Sequence, residues 1–326
     1  MTASASQTVL VTGAAGFVGR ELCRQIAAES DAPVALRVWT HQLRPLPDLH
    51  EDVARFHGDI LDQRVLREAT RGVDTLYHLA GLAHVNRFPA EEMHRVNTQG
   101  TRALLDAAAA NGVGKIVFFS SCLAHRAETG AAKATPYAHS KLAAERLLLQ
   151  AENGPAACIL RPVNVYGRGM KGNIRTLIKL IAARRCPPLP RLNNTLSLVG
   201  VGDLCRAARL AGGSDQANGR TYDVTDGVDY RINDIERAIY QALGRKSPRW
   251  HTPAMVLYAA AATAELLGKL RNTRGGIGLR TWRNLVEGNR YSNTAISREL
   301  GFAPAESLYS ELPGIVEAIT GAAAKD

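Results

Sequence analysis

Val9-Leu10-Val11-Thr12-Gly13-Ala14-Ala15-Gly16-Phe17-Val18-Gly19 is the stretch that decides the fold. Its first three residues read as a short buried strand, and 17–28 carries the apolar spacing of an amphipathic helix. Between them, glycines at 13, 16 and 19 make a G-x-x-G-x-x-G turn. Glycine there permits a tight turn and lets main-chain N–H groups approach a pyrophosphate at the positive end of a helix. A structural turn also uses glycine. The strand before and the helix after make Gly13, Gly16, Phe17, Val18 and Gly19 candidate dinucleotide contacts.

Outward from this turn, strand-like runs recur at 34–39, 75–79, 116–120 and 158–160, separated by helical patterns such as 101–110 and 140–151. Strands alternating with helices at this spacing predict a doubly wound parallel sheet covered on both faces, an α/β fold. After Arg161 the alternation fades, and Pro and Gly cluster at 167–172 and 186–190. We therefore expect a dinucleotide-binding domain over 1–162 and a smaller mixed domain over 163–326. Candidate helices in the latter are 174–183, 203–211, 232–243 and 253–270, and the chain is expected to return to the main sheet around 221–224.

Composition removes several function classes. The start, MTASASQTVL, has neither a basic n-region nor an apolar h-region, which predicts a cytoplasmic location without a secretory signal. Five scattered cysteines form no C-x-x-C pair and have no histidine at ligand spacing, so reduced thiols and no metal site are expected. The longest apolar stretch, 253–267, contains Glu265, lies between His251 and Lys269, and is shorter than the roughly 20 residues of a membrane span. A packed or surface-lying helix is expected there, without stable membrane insertion. The net charge of +10 is spread along a chain with only 6% aromatic residues, which fits anionic small molecules and argues against nucleic acid.

A second motif is Tyr137-Ala138-His139-Ser140-Lys141, with Tyr and Lys four apart and hence on one helical face. An ammonium beside a phenol stabilises phenolate and draws its pKa toward the working range of a general base. The pair gains weight from Ser120-Ser121 at the end of a strand upstream.

With these motifs in place the chain resembles the extended short-chain dehydrogenase/reductases, the group of nucleotide-sugar epimerases, dehydratases and 4-ketoreductases. The resemblance runs through VTGAAGFVG (11–19), Gly58-Asp59-Ile60, YHLAGLAHV (77–85), NTQGT (97–101), KIVFFSS (115–121), PYAHSKLAAE (136–145), LRPVNVYGRG (160–169) and SLVGVGDL (197–204). It implies a Rossmann sheet with a small C-terminal substrate domain. It further implies Tyr137 as acid/base, Lys141 on the nicotinamide ribose and lowering the tyrosine pKa, and Ser121 on the reacting sugar oxygen. Either serine could fill that place, and aligning the strand ending puts the hydroxyl on Ser121, with Ser120 beside the cofactor. Asp59 and Ile60 would flank adenine. Leu79, Ala80 and Gly81 would pass beside the cofactor, Asn97 would be a structural or ribose-side contact, and Pro162 and Val163 would lie against nicotinamide. Asn164 would contact the nucleotide-sugar, Lys171 and Asn173 follow in a loop suited to a diphosphate, and His84 would line the pocket.

Two departures bear on substrate. The loop after Ser121 is only CLAHRAETGAAKATP, and the usual diphosphate arginine before Val201-Gly202-Asp203 is replaced by Asn193, Asn194, Thr195 and Leu196; Arg191 or an arginine of 271–283 would substitute. The end of the second strand, Arg37 to His41 (RVWTH), contains no acid where an NAD enzyme would bind the ribose diol; Arg37, with His41 and Arg44 nearby, would accept a 2′-phosphate. The cofactor is therefore expected to be NADP(H) or NAD(H). The expected reaction is reduction of the C4 keto group of a UDP-linked 4-keto-6-deoxy (N-acetyl)hexose for surface polysaccharide, by a homodimer. The alternatives are a UDP-sugar 4-epimerase holding NAD, a non-catalytic NADP-binding regulator, and an enzyme acting on a steroid or other apolar alcohol.

Overall fold

The first strand, β1 (Gln7–Thr12), pairs in parallel with β2 (Val34–Thr40) on one side and β4 (Thr75–His78) on the other, with Val9 opposite Leu36 and Thr75. This computed structural model describes residues 7–28, 34–42, 45–46, 49–83, 88–131, 134–270 and 288–322. β3 (Ala54–His57) adds outside β2, and β5 (Lys115–Phe119), β6 (Ala156–Pro162) and β9 (Thr221–Val224) add in turn beyond β4, all parallel. The resulting order, β3-β2-β1-β4-β5-β6-β9, reverses direction between β1 and β4. At such a switch point the connections leave to opposite faces and open a crevice at the carboxyl ends of the strands.

Burial explains the sequence pattern. Every residue of β5, KIVFF, is buried, because helices cover both faces. One layer of core joins Leu10, Leu76, Ile116 and Ile159 from the strands to Leu66 of α2 (Gln63–Thr70) and Leu104 of α4 (Gly100–Ala110). The helices begin on local signals: Asp62 accepts hydrogen bonds from Arg64 N and Val65 N at the start of α2. Thr135 accepts from Ala138 N at the start of α6 (Pro136–Leu149), where Pro136 occupies the first turn without losing a bond. The short α3 (Ala90–His94) runs through a π-turn at Arg95–Gln99 into α4, and the short α5 (Ala124–Glu128) lies between β5 and α6.

The chain divides into two compact units, Met1–Val163 with Val201–Val224 and Ser292–Ala303, and Asn164–Gly200 with Thr225–Tyr291 and Pro304–Asp326. α8 (Val201–Gly213) and α11 (Thr294–Leu300) belong with the parallel sheet as β9 does, and α8 is tied to α1 (Phe17–Ala27) through Gln25 Nε2 donating to Gly202 O at 3.1 Å. The second unit is a three-stranded sheet, β10-β8-β7, of Asp229–Arg231, Thr195–Gly200 and Asn164–Tyr166, with β10 antiparallel. Its helices are α7 (Asn173–Ala182), α9 (Ile232–Ala242), α10 (Ala254–Leu270) and α12 (Leu308–Ala322). Buried hydroxyls of Tyr166 and Tyr230 both donate to Asp226 Oδ2, at 2.9 and 2.7 Å, and tie this unit together.

Candidate active site

At the carboxyl end of β1 the chain turns at Gly13, whose φ of +73° favours glycine and whose N–H donates to Trp39 O at 2.9 Å. A Cβ there would lie 2.8 Å from Ala80 N, and one on Gly19 would run into the Gly13 carbonyl oxygen. The close approach of this turn to the 79–81 segment therefore requires these glycines. α1 starts after Gly16 with no side-chain cap, which leaves the N–H groups of its first turn, at Phe17 and Val18, for an anion. These residues fit a dinucleotide pyrophosphate. Leu79 N donates to Thr12 O and Ala80 N to Thr12 Oγ1, both at 3.2 Å, so the segment beside the turn is fixed by β1 itself.

Farther along the crevice, Asp59 accepts from Leu61 N at 3.1 Å and pairs with Arg95 at 3.2 Å. Burial raises its carboxyl, but the Leu61 and Arg95 bonds, with the Arg95 and His41 charges, hold it below the usual range. His41 thus faces Asp59. The Ile60 side chain turns into the core against Gly100. Asn97, in the π-turn, holds Leu82 from both sides, with Oδ1 accepting from Leu82 N at 2.7 Å and Nδ2 donating to Leu82 O at 3.1 Å; Nδ2 also donates to Ser140 Oγ at 3.0 Å. It clamps the 80–82 segment onto α6, and this structural role accounts for its full burial.

Tyr137 and Lys141 project from the first turns of α6 and are both almost fully buried. Burial pushes the Tyr137 phenol up to about 12, opposed by its hydrogen bond with Ser121. Burial brings Lys141 down to about 8, opposed by the Glu145 carboxylate. The ammonium donates to Phe119 O at 2.8 Å and sits 4.5 Å over the Phe118 ring. The phenol is not drawn downward as the sequence reading expects: loss of hydration raises it, and only the Ser121 hydrogen bond opposes that rise. Tyr137 stands as a protonated acid. Beneath the lysine, His78 is bound by Thr12 Oγ1 at 2.8 Å and Thr101 Oγ1 at 2.9 Å; burial, reinforced by the Lys141 charge, drops its pKa to about 3 and keeps it neutral.

The two serines part company at the end of β5. Ser121 is partly exposed, accepts from Leu123 N at 3.2 Å and faces Tyr137. Ser120 points the opposite way and is bonded to buried Glu145, which corrects its expected place beside the cofactor. Glu145 is held by Arg161, with contacts of 3.0 Å from Nε and 2.6 Å from a terminal nitrogen. Arg161 also donates to Glu128 at 2.8 Å and meets His125 at 3.0 Å, and His125 meets Asp223 of β9 at 3.0 Å. This network lies one turn along α6 from Tyr137 and Lys141 and was missed in the sequence. Its signals were Glu145 continuing the Tyr137–Lys141 face by one more turn, and an arginine inside the apolar run CILRP.

Arg37 requires a second correction. It lies mid-strand on the face that packs against α2, and its guanidinium donates to Arg71 O at 2.7 Å and Ala69 O at 3.3 Å. It caps the carbonyl end of α2, so it does not serve as a 2′-phosphate ligand. Pro162 O accepts from Cys122 N at 3.0 Å, and Val163 N donates to Val224 O at 3.3 Å, which fixes the segment expected beside nicotinamide. Asn164, Lys171, Asn173 and Arg191 are exposed on the second unit, with Asn173 opening α7 after Gly172. His84, Arg44 and 271–283 lie outside the described residues. Among the described residues no cluster of three metal-ligating side chains occurs.

A model of the family described as "NAD dependent epimerase/dehydratase family" matches residues 9–225. The N-acetyl-α-D-glucosaminyl-diphospho-ditrans,octacis-undecaprenol 4-epimerase of Escherichia coli O157:H7 is 27% identical over 81% of this chain and 81% of its own. The ceramide reductase of Caulobacter vibrioides is 30% identical over 88% of this chain and 86% of its own. Among solved structures, a UDP-glucose 4-epimerase from Thermotoga maritima superposes with a TM-score of 0.74 at 20% identity, covering 97% of this chain and 100% of that one. That last likeness is one of fold.

Proposed function

The chain belongs to the NAD dependent epimerase/dehydratase family and is a nicotinamide-dependent enzyme; on that footing we propose that it reduces the C4 keto group of a 4-keto-6-deoxy hexose, N-acetylated and carried on a diphosphate such as UDP. The observation that carries this reading is the placement of Tyr137, buried in the first turn of α6, hydrogen-bonded to Ser121 and one turn from Lys141, with burial raising its phenol. A phenol so held is poised to give a proton to the alkoxide oxygen that forms as a ketone is reduced. Ser121 holds that oxygen by its hydroxyl. The bound nicotinamide supplies the hydride. Lys141 fixes the ribose; in the second unit, Lys171 and Asn173, at the uncapped start of α7, offer donors suited to a diphosphate.

A second reading, 4-epimerisation with a retained NAD, is favoured by Arg37, whose commitment to α2 removes the basis for a 2′-phosphate site. The relative that acts on a diphospho-undecaprenol-linked N-acetylglucosamine is itself a 4-epimerase. In that reaction Tyr137 would have to start as phenolate, taking the C4 hydroxyl proton as the hydride leaves C4 for the bound cofactor, and both would return with the hydride on the opposite face. The experiment that decides is incubation with UDP-4-keto-6-deoxy-N-acetylglucosamine plus NADH or NADPH, beside UDP-N-acetylglucosamine with no added cofactor. Stoichiometric cofactor oxidation in the first supports reduction. Interconversion of C4 epimers in the second, with no oxidation in the first, replaces it by epimerisation.

A further inference from the structure

Over 254–264 the helix α10 reads AMVLYAAAATA, with no charge on any side. A helix apolar all round is ordinarily buried. Here Met255 is 84% exposed and Val256 56%, Tyr258 is half exposed, and Trp250 just ahead of the helix is 60% exposed. Of the eight large apolar side chains exposed among the described residues, these four fall within nine positions. The patch is therefore local, and the apolar area it leaves in water carries a cost that an apolar contact would relieve.

The charge around it is one-sided. Lys246 and Arg249, immediately before the patch, are exposed, and Lys269, Arg271, Arg274, Arg280 and Arg283 follow in sequence. From 245 to 283 the only acid is Glu265. A second copy of the chain seated on this face would bring the same cations against themselves. No helix among the described residues is long and apolar enough to cross a membrane. What complements an exposed apolar helix with basic flanks is an anionic lipid surface, into which apolar side chains sink while lysine and arginine meet headgroup phosphates. Tryptophan and tyrosine favour that same depth.

We propose that α10 and the 246–250 segment dock on an anionic phospholipid bilayer, with Trp250, Met255, Val256 and Tyr258 at the acyl boundary and Lys246 and Arg249 on the phosphates. This holds whichever of the two reactions the enzyme performs.

The test is sedimentation of the full chain with phosphatidylcholine vesicles, with and without about a third phosphatidylglycerol. Strong binding to the anionic vesicles only is expected. Lys246→Glu with Arg249→Glu should weaken it by at least about 30-fold, taking roughly five-fold per basic residue. Met255→Asp should weaken it by about ten-fold or more, with an unchanged melting temperature because the side chain is exposed in the free protein. Tryptophan emission should shift to the blue on binding, and Trp250→Phe should remove most of that shift. Absence of vesicle binding, or equal binding to neutral vesicles, overturns the proposal. So does a wild-type dimer that Met255→Asp converts to monomer, which would make this face a contact between copies.

Discussion

Replacing Lys141 by methionine should make the protein inactive and, at neutral pH, more stable. Burial lowers this lysine from its ordinary 10.5 to about 8, so the charged form is penalised in the folded state. At about 1.4 kcal/mol per pKa unit, the penalty is on the order of 3 kcal/mol. Methionine has similar length and no charge. It forfeits the bond to Phe119 O, which costs about 1–2 kcal/mol, leaving a net gain of about 1–2 kcal/mol at pH 7. The sign with pH is fixed by the direction of the shift. Between pH 8 and 10.5 the unfolded chain holds a proton that the folded protein has lost, so wild-type stability rises through that window. The methionine variant has no such rise, and its advantage should shrink by about 2–3 kcal/mol between pH 7 and pH 10. Tyr137, raised to about 12, makes folding weaken above pH 10 in both proteins and largely cancels in the comparison. Urea unfolding of both at the two pH values measures the difference. A stability gap that does not change with pH would refute the account of a desolvated charge at Lys141, whatever the loss of packing.

Tyr137→Phe should keep the fold and cofactor affinity but lower kcat by about 100- to 10,000-fold, since it deletes one proton-transferring hydroxyl; a variant retaining a third of wild-type kcat in steady-state assays would reject the acid role. Glu145→Gln should cost about 3 kcal/mol by leaving Arg161 with a buried charge half-paired, seen in denaturant midpoints. A loss below about 1 kcal/mol would mean that Glu128 and water suffice. Gly19→Ala should weaken NADH binding by ten-fold or more, on the order of 1–3 kcal/mol, because the added methyl meets the Gly13 carbonyl oxygen; fluorescence titration reads this directly. With Arg37 engaged by α2, NADH should serve at least as well as NADPH, and a ten-fold preference of kcat/KM for NADPH, about 1.4 kcal/mol, would show that another cation binds the 2′-phosphate.

Features that rest on neighbours in the chain were legible in the sequence. The strand, the glycine turn and the helix at 9–27 follow from local apolar spacing and from backbone freedom at the glycines, and the helical pattern at 140–151 with the Tyr137–Lys141 face marked α6, which the structure starts four residues earlier on the Thr135 cap and Pro136. β3 was not legible: ARFH is an exposed edge strand without apolar alternation, and only pairing with β2 makes it a strand. Nor was the return of 201–213 and 292–303 to the parallel sheet, which depends on packing between segments far apart in the chain. At the site, residue identity named Tyr137 and Lys141, while tertiary structure decided their protonation, because desolvation depends on everything packed around a group. The same holds for Arg37, which in sequence is a cation after the glycines. In the fold it is the donor that satisfies the α2 carbonyls, since a strand's alternation aims its side chain at that helix and away from the crevice.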